Sequence, residues 1–164
     1  MLVLVGTYTE PILFGTGQVL QGKGEGIHAY RLDESTATLR PIATNSGIAN
    51  PSYLVFDASQ KYLYAVNELD KFNSRKGGGV SALSIDPASG MLTLLNQQSS
   101  VGSGPCDLTV DRTGKNVLVA NYGSGSVACL PIQADGTLSA ASSFLQHEGK
   151  SVDSGFRLDR RLPD

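Results

Sequence analysis

Apolar and polar residues alternate along most of this 164-residue chain, in short runs that end at turn residues, which is the pattern of β-strands. The pattern also repeats. Residues 51–67 align without a gap on residues 105–121, and each copy sets two apolar runs around an Asp-x-x-x-Lys turn. Residues 79–86 align in the same way on residues 126–133. Each copy therefore predicts a unit of four short strands.

The same template extends towards the N-terminus, where residues 26–33 align on residues 79–86. The whole pattern predicts eleven strands, at roughly 2–8, 26–33, 38–44, 52–57, 61–67, 79–86, 91–98, 105–111, 115–121, 126–132 and 138–144. A repeat of four-stranded units is typical of a β-propeller, in which neighbouring blades bury faces that no blade can bury alone. The predicted fold class is therefore all-β, a propeller of four-stranded antiparallel blades.

The eleven strands divide into three, four and four, so the predicted blades span about 2–45, 50–99 and 105–145. They form a partial propeller at 1–153, followed by an irregular tail at 154–164. Propellers close with about four to eight blades, and the missing inner strand of the first blade would come from a C-terminal part. We therefore expect the front portion of a longer protein. Unpartnered faces on its end blades predict self-association.

Composition and charge narrow the class of protein. Charged residues make up 17% of the chain, glycine occurs 19 times and tryptophan is absent, as suits a turn-rich β protein. The net charge of −2 provides no field for a polyanion, so we do not expect nucleic acid as a partner. The apolar start at Met1 is too short for a signal peptide or a membrane span, so no membrane association is expected.

The two cysteines bear on location and on metal binding. Cys106 and Cys129 fall on non-neighbouring strands of one unit, which disfavours a disulfide and offers too few ligands for a metal. We expect both to be small buried side chains in a protein of the reducing cytoplasm. The sequence contains no dinucleotide, phosphate-loop or zinc motif, so we expect neither a metal nor a cofactor.

The predicted connections make the two faces of the propeller different. Because the strands are antiparallel, the turns between strands 1 and 2 and strands 3 and 4 of each blade share one face. These turns are tight and carry the Asp, Pro and Gly that turns require, so we call this side the tight-turn face. The opposite face, which we call the long-loop face, carries the loops at 9–25, 45–50, 68–78, 99–104 and 145–153. Binding and catalytic groups usually lie in such loops.

Two segments of the long-loop face carry candidate chemistry. The loop after Glu68 contains three cations, Lys71, Arg75 and Lys76. They could bind a phosphate or a carboxylate through charge-assisted hydrogen bonds, or they could simply keep the loop solvated. His147 could act as a general base near neutral pH, with Glu148 orienting it or accepting a proton. A lone histidine in a loop is more often incidental, so both interpretations stay open.

The ordered succession of several segments resembles the seven-bladed propeller lactonases. The matching segments are 5–9, 24–27 with Tyr30, 50–54, 63–68, 104–108, 119–122 and 147–149 with 151–152. The resemblance covers residues 2 to about 153, and its specificity lies in the order of the pieces. This family includes the propeller type of 6-phosphogluconolactonase and is related to fungal carboxymuconate cyclases. Seven blades are then expected, of which this chain would hold about 2.75.

The resemblance implies hydrolysis of 6-phosphoglucono-δ-lactone to 6-phosphogluconate without a metal, in the oxidative pentose phosphate pathway. Such a reaction needs a base for water, polarisation of the ring carbonyl and a clamp for the phosphate. On this hypothesis His147 is the base or a lactone ligand, and Glu68 is a second polar group at the opening of the site on the long-loop face. The phosphorylated sugar would be bound by Glu148 and by the three cations Lys71, Arg75 and Lys76.

Two other functional classes remain open. A cyclase or lyase of the carboxymuconate type would use the same cations on carboxylates and would not depend on a phosphate. A propeller fragment that only binds is supported equally by the periodicity, since one fold serves many functions. After Asp153 the sequence departs from the family pattern. We therefore expect a truncated form with low or no activity.

Overall fold

The computed structural model of the protein describes residues 1–13 and 17–149. The predicted tail at 154–164 and the last residues of the predicted domain lie outside the described residues. All regular structure in the described ranges is β. Its strands are β1 (Leu2–Gly6), β2 (Ile12–Leu13), β3 (Val19–Leu20), β4 (Ile27–Asp33), β5 (Thr38–Asn45), β6 (Leu54–Phe56), β7 (Tyr62–Asn67), β8 (Lys71–Phe72), β9 (Arg75–Lys76), β10 (Gly79–Ile85), β11 (Leu92–Ser99), β12 (Pro105–Val110), β13 (Asn116–Asn121), β14 (Ser126–Pro131) and β15 (Ser143–Gln146).

Eleven of these strands form three antiparallel sheets. The first blade is β1-β4-β5, the second is β6-β7-β10-β11 and the third is β12-β13-β14-β15. The predicted all-β propeller architecture, with three, four and four strands, is therefore confirmed. Four further two-residue strands form small hairpins inside loops, and the sequence did not predict them. No helix in the described part of the chain is long and apolar enough to cross a membrane.

The central strand β7 shows how the blades pack. Its side chains are buried on both faces, in alternation. Leu63 and Ala65 lie in a core shared with the first blade, where they accompany Ile27. Tyr64 and Val66 lie in a separate core shared with the third blade. The second blade is thus a layer between two hydrophobic interfaces, as radial packing of blades requires.

The third blade is buried on one face only. In β13, Val117 and Val119 are fully buried against the second blade. Leu118, which occupies the repeat position of Tyr64, is 42% exposed on the opposite face, and Leu145 on β15, the outer strand of the same sheet, is also exposed. Within the described residues this face has no partner blade. Self-association through such faces stays a prediction.

Asparagine side chains join the outer strands to the following blade. Asn45 at the end of β5 accepts a hydrogen bond from the Leu92 N–H at 2.8 Å. Asn96 in β11 accepts one from the Leu138 N–H at 2.9 Å and donates to the Leu138 carbonyl at 2.7 Å. Each contact fixes the start of the next blade's outer segment.

The sequence prediction places one strand of the third blade too early. The eleventh strand was expected at 138–144 but begins only at Ser143. The backbone of Leu138 is held by the side chain of Asn96 in the second blade. Pro131, at the end of β14, has no N–H to offer a neighbouring strand. Leu138 still forms an isolated bridge with Ile132, so the outer strand of the third blade pairs once at its predicted start and continuously only from Ser143.

The two faces of the propeller differ as the sequence predicts. On the tight-turn face, Asp111 accepts hydrogen bonds from the Asn116 side chain and the Lys115 N–H, at 2.9 Å each. These bonds, led by that of Asn116, lower the pKa of Asp111 to about 2. On the long-loop face, the loops of neighbouring blades meet. The Gly78 N–H donates to the Gly102 carbonyl at 2.8 Å, which ties the loop after β7 to the loop before β12.

Candidate functional site

Glu68 lies at the centre of a polar cluster on the long-loop face. It directly follows β7, and its side chain is half-buried. One carboxylate oxygen, Oε2, accepts hydrogen bonds from the Tyr8 hydroxyl at 3.0 Å and from the Ser52 hydroxyl at 2.5 Å. No described residue donates to the second oxygen, Oε1. The carboxylate is thus anchored through one oxygen while the other stays available for a further proton donor.

Three separate segments build this cluster. Tyr8 comes from the loop after β1 in the first blade, and Ser52 comes from the entry to the second blade. Glu68 stands at the end of the second strand of that blade. Its backbone N–H donates to the Asn50 carbonyl at 3.1 Å, which ties it to the same entry segment. The cluster therefore forms only when the first and second blades are packed together.

The electrostatics keep the neighbours of Glu68 protonated at neutral pH. Burial and then the hydrogen bond to Glu68 raise the pKa of Tyr8 to about 12. Burial and then the charge of Glu68 raise the pKa of the Cys106 thiol. Cys106 and Cys129 are both free and only half-buried, whereas the sequence predicted buried side chains. The Tyr8 hydroxyl therefore keeps its proton and remains a hydrogen-bond donor at neutral pH. The Cys106 thiol also keeps its proton, which makes it a poor nucleophile.

The predicted cations lie on a small hairpin in the same loop as Glu68. Strands β8 and β9 are joined by Asn73 and Ser74, both in the left-handed region with φ of 50° and 63°. Lys71 pairs with Lys76 across the hairpin, so these two side chains share one side. Their charges are exposed, and neither makes an ion pair with a described residue. Like charges directly opposite each other repel, and an anion between them relieves this repulsion.

Arg75 lies on the other side of the hairpin. It pairs with Phe72, whose ring packs over Gly79 so closely that a Cβ there would lie 2.7 Å from it. The structure therefore brings Lys71 and Lys76 together but separates Arg75 from them. The ring of Phe72 fixes the orientation of the hairpin on the propeller.

The predicted residues His147 and Glu148 lie just after β15, and both are exposed. The His147 N–H donates to the Gly125 carbonyl at 3.0 Å, and Gln146 donates to the carbonyls of Ser124 and Gly125. These contacts hold the segment against the loop of the third blade on the long-loop face. Among the described residues, no hydrogen bond joins either side chain to Glu68. The structure thus anchors this segment without linking it to the Glu68 cluster.

Sequence reasoning selected Glu68 but missed Tyr8, Asn50 and Ser52. A signal was present, because the repeat aligns Ser52 with Cys106 and Asn50 with Gly104. Asn50 and Ser52 thus place polar side chains between the first and second blades, where the next repeat has a glycine and a cysteine. No group of three or more His, Cys, Asp or Glu within the described ranges is arranged to hold a metal ion.

Comparisons with known proteins agree with this architecture. The family described as "Lactonase, 7-bladed beta-propeller" matches residues 2–157. The chain is 36% identical over 146 residues to the 6-phosphogluconolactonase of Bacillus subtilis, covering 89% of this chain and 37% of that protein. A related 6-phosphogluconolactonase of Formosa agariphila is 27% identical over 132 residues, covering 80% of this chain and 36% of that protein.

Solved structures give the same result. The periplasmic gluconolactonase of Pseudomonas aeruginosa superposes with a TM-score of 0.78 at 33% identity, over 94% of this chain and 40% of that one. A protein of Bacteroides fragilis, proposed to be a 6-phosphogluconolactonase, gives 0.80 at 37% identity, over 94% and 38%. One relative is periplasmic, so the cytoplasmic location stays a prediction. The chain spans no more than about two fifths of the length of these relatives, and it belongs to the seven-bladed β-propeller lactonase family.

Proposed function

We propose that the protein hydrolyses a sugar lactone, and that the substrate is 6-phosphoglucono-δ-lactone, converted to 6-phosphogluconate in the oxidative pentose phosphate pathway. The observation that carries this proposal is the Glu68 carboxylate, anchored by Tyr8 and Ser52 at the long-loop face with one oxygen left for a further donor. Family membership supports the class of reaction. Because the relatives are longer, we expect lower activity from this chain than from a seven-bladed protein.

The proposed chemistry uses water as the nucleophile. Glu68 accepts a proton from a water molecule whose oxygen attacks the carbonyl carbon of the lactone. The bond between that carbon and the ring oxygen then breaks, and the ring oxygen takes up a proton to become a hydroxyl group. We assign His147 either to this proton delivery or to the base itself, since an imidazole can both donate and accept a proton. Glu148 would accept hydrogen bonds from sugar hydroxyls.

The proposed phosphate clamp is the pair formed by Lys71 and Lys76. Their side chains share one side of the hairpin and have no described anionic partner, so a phosphate would neutralise two opposed charges. The clamp and Glu68 belong to one loop, which links recognition of the phosphate to the position of the carboxylate. Arg75, on the other side of the hairpin, would contribute only if its long side chain reached around the loop.

Hydrolysis followed by pH-stat, against the spontaneous background, tests the reaction. We expect the wild-type chain to exceed the background, and Glu68→Gln to reduce kcat at least about tenfold because the base is lost. His147→Ala is measured in parallel to decide between its two roles. The matched control is Glu34→Gln, an exposed carboxylate in a turn of the opposite face. Equal activity of Glu68→Gln and Glu34→Gln would exclude Glu68 as the base.

Removal of the two lysines tests the phosphate clamp. For the double variant Lys71→Ala/Lys76→Ala, we expect KM for the phosphorylated lactone to rise about tenfold, since two charge-assisted contacts are lost. KM for unphosphorylated glucono-δ-lactone should not change. The matched control is Lys61→Ala/Lys115→Ala, on the tight-turn face. A rise in KM for both lactones would contradict the clamp, and indifference to the phosphate would favour a carboxylate substrate of the cyclase type.

A further inference from the structure

Asn50 has an unusual backbone conformation for a residue other than glycine. Its φ is 41°, in the left-handed region, and its side chain is completely buried. The equivalent residue of the next repeat is Gly104, with φ of 58°. In both repeats the carbonyl of this residue accepts a backbone hydrogen bond, from Glu68 at 3.1 Å and from Tyr122 at 2.9 Å respectively. Glycine alone therefore suffices for this turn, and the side chain of Asn50 needs another explanation.

The side chain amide of Asn50 bridges the first blade to Glu68. Its Oδ1 accepts hydrogen bonds from the N–H groups of Thr9 and Glu10, both at 2.9 Å. Its Nδ2 donates to the Glu68 carbonyl at 3.1 Å. The Asn50 N–H in turn donates to the Thr9 hydroxyl at 3.0 Å. The buried amide of Asn50 thus accepts hydrogen bonds from the loop that carries Tyr8 and donates one to Glu68, the residue that Tyr8 contacts.

This arrangement fixes the distance between the two blades at the candidate site. Tyr8 immediately precedes Thr9, so the backbone contacts of Asn50 lie one residue away from the phenol that holds Glu68. The strained left-handed conformation persists because the surrounding hydrogen bonds over-determine it. An apolar side chain would supply neither contact, and a carboxylate would supply only the acceptor.

We propose that Asn50 is a positioning residue that holds Tyr8 and the Glu68 carboxylate in register for lactone hydrolysis, an inference that rests on the proposed function. Asn50 does not touch the substrate. Its loss removes the acceptor of Thr9 and Glu10 and the donor to the Glu68 carbonyl, so that the segments of Tyr8 and Glu68 are no longer joined through one side chain. Misplacement of a catalytic group lowers kcat far more than it weakens binding of a distant phosphate. The expected signature is therefore a loss in kcat with KM nearly constant.

The test is Asn50→Gly, which suits the left-handed backbone, as Gly104 does in the next repeat. We expect kcat to fall about tenfold, and amide exchange of Thr9 and Glu10 to accelerate because their acceptor is gone. The matched control is Gln60→Gly, another left-handed residue, with φ of 57°, exposed in a turn of the opposite face. This control should change kcat less than twofold and leave the exchange at Thr9 and Glu10 unaltered.

A second variant covers the case in which Asn50→Gly fails to fold. Asn50→Asp keeps the acceptor for Thr9 and Glu10 but loses the donor to the Glu68 carbonyl. We expect it to retain slow exchange at both amides while kcat falls. Unchanged kcat in a folded Asn50→Gly or Asn50→Asp variant would overturn the proposal, as would unchanged exchange in Asn50→Gly. Wild-type hydrolysis no faster than buffer would instead refute the proposed function, and the exchange data would still decide whether Asn50 holds the loop.

Discussion

Tyr64→Ala is expected to lower the free energy of unfolding by about 3–5 kcal/mol, the range for removal of a large buried aromatic side chain. Tyr64 is completely buried in the core between the second and third blades, among Val80, Val117 and Val119. Its hydroxyl crosses this interface and donates to the Gly136 carbonyl at 3.1 Å. The substitution therefore leaves a cavity and an unpaired carbonyl at the same blade interface. Urea denaturation measures the effect.

Two variants separate the contributions of the Tyr64 ring and hydroxyl. Tyr64→Phe keeps the ring and should cost only about 1 kcal/mol, the typical net value of one hydrogen bond. Tyr122→Ala makes the same truncation at a side chain that is 52% exposed, and should stay within about 0.5 kcal/mol of wild type. If Tyr64→Ala and Tyr122→Ala were equally mild, the interface between the second and third blades would not be packed as described.

The repeat made most of the blade architecture predictable. Radial packing dictates a strand such as β7, in which both faces are apolar, and β13 keeps the same alternation with Leu118 at the position of Tyr64. The local pattern could not predict where the outer strand of the third blade begins. That strand pairs once at Leu138, in an isolated bridge to Ile132, and continuously only from Ser143, beyond Pro131, which has no N–H. A proline in the neighbouring strand thus interrupts a ladder that the apolar pattern predicts as continuous.

The repeated asparagines show how equal positions acquire different environments. Asn67 and Asn121 each donate to a carbonyl in the loop before their blade, those of Ala49 and Ser100. The Oδ1 of Asn67 accepts from the Ser81 hydroxyl at 2.7 Å, whereas the Oδ1 of Asn121 is buried without a described partner. The sequence reveals that the residue recurs, but only the packed blades show which of its hydrogen bonds recur.

The candidate site was less predictable than the fold, for a related reason. Glu68 stood out because it opens a long charged loop, but Tyr8 and Ser52 reach it from segments distant in sequence. The charge pattern also grouped Arg75 with the two lysines, and the register of the hairpin separates them. In a two-residue β pairing, neighbouring residues point to opposite sides, which composition alone does not reveal.

Gly6→Ala is expected to destabilise the protein by more than about 3 kcal/mol, at or beyond the usual range for overpacking. A Cβ on Gly6 would lie 1.7 Å from the Pro51 carbonyl oxygen and 2.9 Å from its carbon. Both are backbone atoms, so no side chain can move aside. Gly6 ends β1, two residues before Tyr8, while Pro51 lies between Asn50 and Ser52. The missing side chain therefore permits the close approach of the first and second blades on which the Glu68 cluster depends.

The matched control is Gly47→Ala, where an added Cβ meets no atom within 4 Å but the backbone φ is +87°. Its cost should be about 1 kcal/mol, from backbone conformation alone. Urea denaturation gives both values, and amide exchange at Glu68 reports on the cluster, since its N–H donates to the Asn50 carbonyl. If Gly6→Ala cost no more than Gly47→Ala, the first two blades would be able to separate without loss. The contacts that hold Glu68 would then not depend on their close approach.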